Sequence, residues 1–402
     1  MPTPLTITRA SPETAQIGAE VFTVPAGVPA IGDHGLQVYA ASTNLCLESQ
    51  TIATGTAPTS PWAVVGTTSA APTLDDNAAI APDGTMTACR IDFNAINATA
   101  ERSIIYQKPI TLTVASQTLS FWARTVSGTG TLYLSIVADV SHGQTLSCNL
   151  TTTWQRFSTT FTGTASGWYI LVGPFGDWYS PVAVQPNVQP ALSCYIWGVQ
   201  LEASPVATPY IPTTTVPVAR SADVVSVPVA VNMVPSAGVA APWCIGVRLT
   251  ADWATAVERQ MFTAGVPGTA NSIEAFIHSG TEMDIRVWDG AGVKKGKWRY
   301  QTFAQGSEHT ILFENRGGDI QLWFDGVLQS TTLDGAGTGI MAVNPASFQL
   351  GGYSASYTLN GSIKQFVQGT SVREVQAELD KGYVDSTVLY WVAGRTGGHW
   401  VI

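Results

Sequence analysis

Charge is scarce in this sequence: Asp, Glu, Lys and Arg supply 12% of its 402 residues, against about 25% in an average soluble domain. The net charge is -9 and the pI is about 5.0. The one basic run is Lys294, Lys295, Lys297 and Arg299. With no cationic face to neutralise phosphates, nucleic-acid binding is not expected. Paired cysteines are lacking too. Cys46, Cys89, Cys148, Cys194 and Cys244 stand far apart without a CxxC, so neither a zinc site nor a disulfide framework is indicated. Four of them sit in apolar or strand-like stretches, which predicts reduced thiols acting as small hydrophobes. No apolar run approaches the ~20 residues of a membrane helix. Met1–Ala10 has no apolar signal core. The expectation is a protein made in the cytoplasm, without membrane insertion. Phosphate loops are missing as well: Gly351-Gly352 and Gly397-Gly398 lead into no helix that could present its N-terminus to an anion.

Small polar and β-branched residues fill the space that charge leaves. Apolar positions alternate with Thr and Ser, and Gly or Pro interrupts about every ten residues, the pattern of a sandwich or barrel. One segment departs from it. Ser371–Lys381 has a capping-box spacing (Ser371, Glu374), one apolar face (Val372, Val375, Leu379) and Gly382 just beyond, which predicts a helix. The fold class expected is all-β: two β-sandwich (jelly-roll) domains, an extended N-terminal arm and one short C-terminal helix. Residues 1–49, rich in Pro, Gly and small side chains, read as the arm, ordered by contacts with other chains. Residues 50–208 read as the first sandwich, with its strongest strands at Gln117–Arg124 and Ser193–Glu202. Four prolines between Ser204 and Pro217 cannot lie in a central strand, so 209–218 reads as a semi-rigid linker. Residues 219–382 read as the second sandwich with the helix, and 383–402 as a C-terminal strand segment completing a sheet. Asp325-Gly326 and Gly317-Gly318 mark hairpin turns in the second sandwich.

Two sets of motifs go beyond pattern. TITRASPETA, GLQVYAASTNLCLES, APDGTMTACRI and YIWGVQLEASPVATPYIPTTTVPVARSADV occur in that order over the first half. They resemble a recurrent phage virion module with a jelly-roll fold like that of carbohydrate-binding modules. DIQLWFDGVLQSTTL followed by FQLGGYSASYTLNGSIKQFVQGTSVREVQAEL resembles the laminin-G or concanavalin-A-like lectin fold. No calcium-ligand set of that fold is identified, so the resemblance implies the fold rather than a metal-dependent sugar site. Together they imply a structural component of a phage particle, a tail fibre or tail appendage that recognises host-surface glycan. Its partners would be other virion proteins and copies of itself, with a trimer preferred. A capsid decoration protein or head fibre is the alternative, and a glycan-degrading enzyme a third.

Candidate chemistry is sparse. The nearest approach to a paired-carboxylate hydrolase is Glu282 with Asp284 in TEMDIRVWD, a stretch that reads first as a solvated edge strand. There is no GxSxG elbow, and His34, His142, His278, His309 and His399 lie apart, although distant residues can converge. No cofactor and no transition metal are expected. Aromatics carry more, with 13 Trp in the chain. Trp122, Trp197 and Trp323 read as core. In FGDWYSP, Asp177, Trp178 and Tyr179 form a loop group open to three readings: core, subunit interface or sugar platform. In WDGAGVKKGKWRY, Trp288, Trp298 and Tyr300 flank a basic turn, either a solvated hairpin tip or a contact for an acidic surface.

Overall fold

The computed structural model describes residues 6–52, 61–67, 71–113, 115–139, 142–164, 167–176, 185–227, 242–251, 259–278, 282–300, 304, 306–316, 319–335, 347–352, 358–369, 371–380, 390–393 and 398–401. The chain is all-β, with one short helix among the described residues. It divides into two compact units, each discontinuous in sequence. One comprises Met1–Ala15, Val24–Ala41 and Ser221–Ile402, and the other Gln16–Thr23 and Ser42–Arg220.

The 16–23/42–220 unit is a sandwich of two five-stranded antiparallel sheets. In spatial order one sheet holds His142–Leu150, Gly130–Asp139, Gly167–Val172, Ser103–Thr111 and Trp62–Gly66. The other holds Gln155–Thr162, Ser116–Thr125, Leu192–Glu202, Ala88–Phe93 and Thr73–Ala79. Successive side chains on a strand point to opposite faces. Leu119, Phe121 and Ala123 therefore enter the core between the sheets beside Ile91, Ile105, Leu134 and Trp168. Each fully buried Leu, Ile or Phe side chain contributes about 1.5–3 kcal/mol. Trp122 faces outward yet is buried, packed edge-on against Trp197 at 5.4 Å and Tyr210 at 5.5 Å. A register shift between Ser120 and Trp122 makes this possible. It centres on Gly198, whose φ is +67° and whose Cβ, were there one, would stand 2.8 Å from the Trp122 ring.

The other unit sets an eight-stranded sheet against a nine-stranded one. The first runs, in spatial order, Thr6–Thr8, Val224–Val227, Phe348–Leu350, Arg259–Ala264, Ser272–His278, Glu282–Trp288, Lys294–Tyr300 and Thr332–Asp334; the second centres on Trp243–Ala251 and Gly361–Gly369. Phe262 and Phe348 from one sheet meet Phe313 and Phe366 from the other at centroid distances of 5.2 to 6.0 Å. The helix, Val372–Leu379, is capped by the Ser371 side chain and buries Val375 and Leu379 against Cys244, Leu312 and Val367 on the back of the second sheet.

Three expectations are corrected. The described part of 1–49 is not a free arm: Ile7 pairs with Val225, Leu36 with Ile363 and Thr43 with Ala219. A few alternating apolar residues suffice, Leu36 and Val38 being fully enclosed, because the sheet they join supplies the rest of the core. The stretch read as a linker is packed, with Tyr210, Ile211 and Thr213 buried. The basic run is largely strand: the turn is 289–293, where Asp289 Oδ1 accepts from the backbone N–H of Ala291 and Val293, and Lys294–Tyr300 then pairs with Glu282–Trp288. At the C-terminus, Gly398–Val401 pairs with Gly361–Gly369 of the same chain and with Tyr390–Ala393. The rest of 383–402 lies outside the described residues, as does the turn pair Gly317-Gly318.

Candidate functional site

The motif residues of the first half turn out to be internal fastenings. The buried Glu202 carboxylate accepts from Ser42 Oγ (2.5 Å), Thr208 N (2.8 Å), Thr208 Oγ1 (2.7 Å) and Gln200 Nε2 (2.8 Å). Asn44 donates to the Ile211 carbonyl (2.8 Å) and accepts from the backbone N–H of Leu201 and Cys46. Tyr210 shares a 2.7 Å hydrogen bond with Ser49. These contacts fold the segment 203–213 over the outer face of the second sheet. In the other unit Arg9 Nη1 bridges Glu13 (2.8 Å) and Asp223 (2.9 Å), all three buried. A recognisable motif here encodes a closure, not a ligand site.

The outer face is only half covered. Thr118, Ser120 and Trp122 lie beneath the returning segment, whereas Arg90, Arg124, Trp154 and Tyr195 remain partly exposed. At this open end lies a groove of about 400 Å³ lined by Glu20, Phe22, Ile80, Pro82, Asp83 and Trp154, among others, within the size range of small-ligand clefts. Three separate segments build it. The tip 19–22 is anchored by Val21, which is buried and donates to the Pro82 carbonyl at 2.8 Å. The APDGT segment turns at Gly84 (φ +79°), where Asp83 Oδ1 accepts from Thr85 N and Oγ1. Trp154 is fixed by its Nε1–H, which donates to the Ile80 carbonyl at 3.2 Å. Phe22 and Ile80 are 44% and 59% exposed, so the apolar wall is open to solvent. Two carboxylates beside exposed aromatic and aliphatic surface match a ligand with hydroxyl donors on one side and C–H groups on the other.

Among the residues singled out from sequence, Asp177, Trp178 and Tyr179 lie outside the described residues. Trp288 is half-buried, in register with Lys294; Trp298 and Tyr300 stand opposite Asp284 and Glu282. Register thus brings the three aromatic positions to one face of the hairpin; the side chains of Trp298 and Tyr300 are outside the description. Asp284 is buried and bonded to Arg286 at 2.8 Å, and Arg286 also faces Glu274 at 3.8 Å and stacks on Phe276 at 4.5 Å. Asp284 is thus already paired, and its strand lies between two others rather than at a solvated edge. His309 does converge on partners: Ser307 Oγ at 2.7 Å from Nε2 and Asp325 Oδ2 at 2.9 Å from Nδ1. This has the connectivity of a nucleophilic triad. However, Ser307 Oγ also lies 2.5 Å from the Ala304 carbonyl, so the carbonyl competes with His309 Nε2 for its single proton. Asp325 Oδ1 accepts from Thr310 N, and the whole group clamps a strand end to a turn. Among the described residues no group of His, Cys, Asp and Glu could hold a metal ion, and no helix is long and apolar enough to cross a membrane.

The groove was not legible beforehand. Its signals were present but scattered: the Asp-Gly turn and a Trp directly before a strand, 70 residues apart along the chain, joined by a tip at 19–22.

No protein-family model matches the sequence, and no curated protein matches it. Among solved structures the chain is similar to the CBM40 of a Ruminococcus gnavus sialidase bound to α2,3-sialyllactose, at 14% identity and a TM-score of 0.29, covering 34% of this chain and 82% of that one. It is similar to domains LG4-5 of the mouse laminin α1 chain, at 11% identity and a TM-score of 0.28, covering 68% and 88%. It is also similar to the N-terminal CBM22 tandem of Paenibacillus barcinonensis Xyn10C, at 9% and 0.28, covering 83% and 99%.

Proposed function

We propose that this chain is a non-catalytic binding component of a phage particle, a tail fibre or tail appendage that holds host-surface glycan in the Trp154 groove. The groove is the observation that carries the binding half of this reading. Trp154, Phe22 and Ile80 offer a surface on which the C–H faces of a sugar ring stack, and Glu20 and Asp83 are acceptors for its hydroxyls. The virion half rests on the resemblance of the ordered motifs, as does synthesis in the bacterial host cytoplasm. Low charge density and exposed apolar side chains such as Ile17 and Met86 suit contacts with copies of the chain, a trimer, and with other virion proteins. The non-catalytic reading is supported by the Arg286 clamp on Asp284 and by the Ala304 carbonyl, which competes with His309 for the Ser307 proton.

Binding is tested by presenting a panel of bacterial surface oligosaccharides to the purified chain and to a Trp154→Ala variant. Retention of at least one neutral oligosaccharide by the wild type, lost in the variant, is expected. Equal retention by both would remove the groove from the account. Product release from any of these polysaccharides would make the protein an enzyme. Locating a tagged chain on intact particles separates a tail appendage from a capsid decoration protein or head fibre.

A further inference from the structure

Beside the groove, on the open half of the same sheet face, stands an arginine with no counter-ion among the described residues. In register across the strands run Asp75, Arg90, Tyr195 and Arg124. The Arg124 guanidinium carbon lies 4.4 Å from the Tyr195 ring centroid and 5.1 Å from that of Trp154, both within cation–π range. Stacking occupies the faces of the guanidinium and leaves its in-plane N–H donors to find acceptors. Other arginines in the chain have found them. Arg9 bridges two carboxylates, Arg286 meets Asp284 and Glu274, and Arg90, next along this row, bonds Asp92 at 3.1 Å. Among the described residues Arg124 makes its two ring contacts and neither a hydrogen bond nor an ion pair; its Nε is enclosed without an acceptor, while its terminal nitrogens are open. Held by two rings and not neutralised, the fork is oriented before any ligand arrives, which lowers the cost of ordering on binding.

We propose that Arg124 anchors the carboxylate of an acidic saccharide, a uronic acid residue, whose neighbouring neutral sugar enters the Trp154 groove. This rests on the reading of the groove as a glycan site. Trp154 ties the two together, since it lines the groove and carries Arg124 on its ring. A carboxylate matches the guanidinium fork with two parallel hydrogen bonds. A densely charged polyanion does not fit: Glu20 and Asp83 line the groove, and the chain carries a net charge of -9. An isolated carboxylate on an otherwise neutral sugar does.

The test uses the full-length chain and a glucuronic acid–xylose disaccharide, its methyl ester and the corresponding neutral disaccharide, by calorimetric titration. The wild type is expected to bind the acid about tenfold or more tighter than the ester, the size of a charge-assisted bidentate contact. Arg124→Gln, with an unchanged melting temperature, is expected to bind acid and ester equally. A variant that retains the wild-type ratio overturns the proposal. So does a wild type that binds the neutral sugar without preferring the acid, in which case the groove reading stands. If no disaccharide binds, the groove reading fails, and glucuronate titrated into arginine-¹⁵N-labelled protein decides the carboxylate site. A shift of the Arg124 Nη–H resonances, absent in Arg124→Lys, supports it, and unmoved resonances overturn it.

Discussion

At the scale of single residues, the buried polar groups of this protein are explained by counting donors. Glu202 accepts four hydrogen bonds, two on each oxygen. Its Oε2 partners are hydroxyls, which can rotate and accept from an amide; its Oε1 partners are N–H groups, which cannot. Glu202→Gln therefore retains an acceptor where it matters and is expected to cost about 1 kcal/mol. Glu202→Ala takes the acceptor from Ser42 Oγ and Thr208 N and leaves Gln200 Nε2 and Thr208 Oγ1 only their longer bonds to the Thr208 and Pro209 carbonyls, and is expected to cost about 3 kcal/mol. Urea unfolding followed by fluorescence measures both, and equal losses would mean that the carboxylate is not the keystone of this closure. The five buried thiols make a separate prediction. Burial pushes the Cys148 thiol from its ordinary 9.0 up to about 12. It pushes Cys46, Cys89, Cys194 and Cys244 the same way, and Tyr210 above the ordinary tyrosine value. The folded state thus holds protons that the unfolded state releases above about pH 9. Stability is complete below that pH and declines as pH rises from about 9 toward 12. Urea midpoints taken from pH 7 to 11 should fall above pH 9, and Cys148→Ala should flatten the fall. A midpoint that stays level to pH 11 would contradict the burial of these groups.

Elements show where sequence is readable and where it is not. Strands with apolar alternation announced themselves: Gln117–Arg124 and Ser193–Glu202 fall inside Ser116–Thr125 and Leu192–Glu202. Thr73–Ala79, His142–Leu150 and Lys294–Tyr300 did not. They are polar, and their extended form comes from the neighbour they pair with rather than from their own pattern. The groove was illegible for a related reason. A binding surface made by three turns is set by tertiary packing, and neither periodicity nor local turn signals encode which turns meet. The helix was readable because cap, periodicity and terminator agreed locally, but its seat was not. That seat is Gly246, where a Cβ would come 2.5 Å from Val375 Cγ1 and 2.9 Å from Leu379 Cδ1. Gly246→Ala is expected to lift the helix from the sheet at a cost of about 1–3 kcal/mol. Hydrogen exchange in 372–379 should speed up while exchange in the central strands holds. Unchanged protection of the helix would show that it is held by something other than this contact.

At the scale of the whole molecule the chain order and the compact units do not coincide, and this decides which fragments can fold. The unit containing Ser221–Ile402 takes Thr6–Thr8 into one sheet, at the free edge of Val224–Val227, and Gly35–Val38 into the other, beside Gly361–Gly369. It also takes Arg9 and Glu13, which surround Asp223. A fragment starting at residue 221 would expose two strand edges and leave Asp223 buried without its guanidinium, a loss of about 3–5 kcal/mol for a broken buried pair. The fragment 42–220 retains both five-stranded sheets, the Glu202 closure and the Trp122–Trp197–Tyr210 cluster, and lacks only the tip 16–23. Produced separately, 42–220 is expected to be soluble and to melt cooperatively. The fragment 221–402 is expected to aggregate or to be cleaved rapidly by a low dose of protease. Removing Met1–Thr43 from the full chain should have the same effect on 221–402 while the sandwich of 44–220 persists. If 221–402 alone were as protease-resistant as it is in the intact chain, the N-terminal strands would be additions to a finished sheet. In that case the first 43 residues would be free to act as an arm toward other chains, as their composition alone suggests.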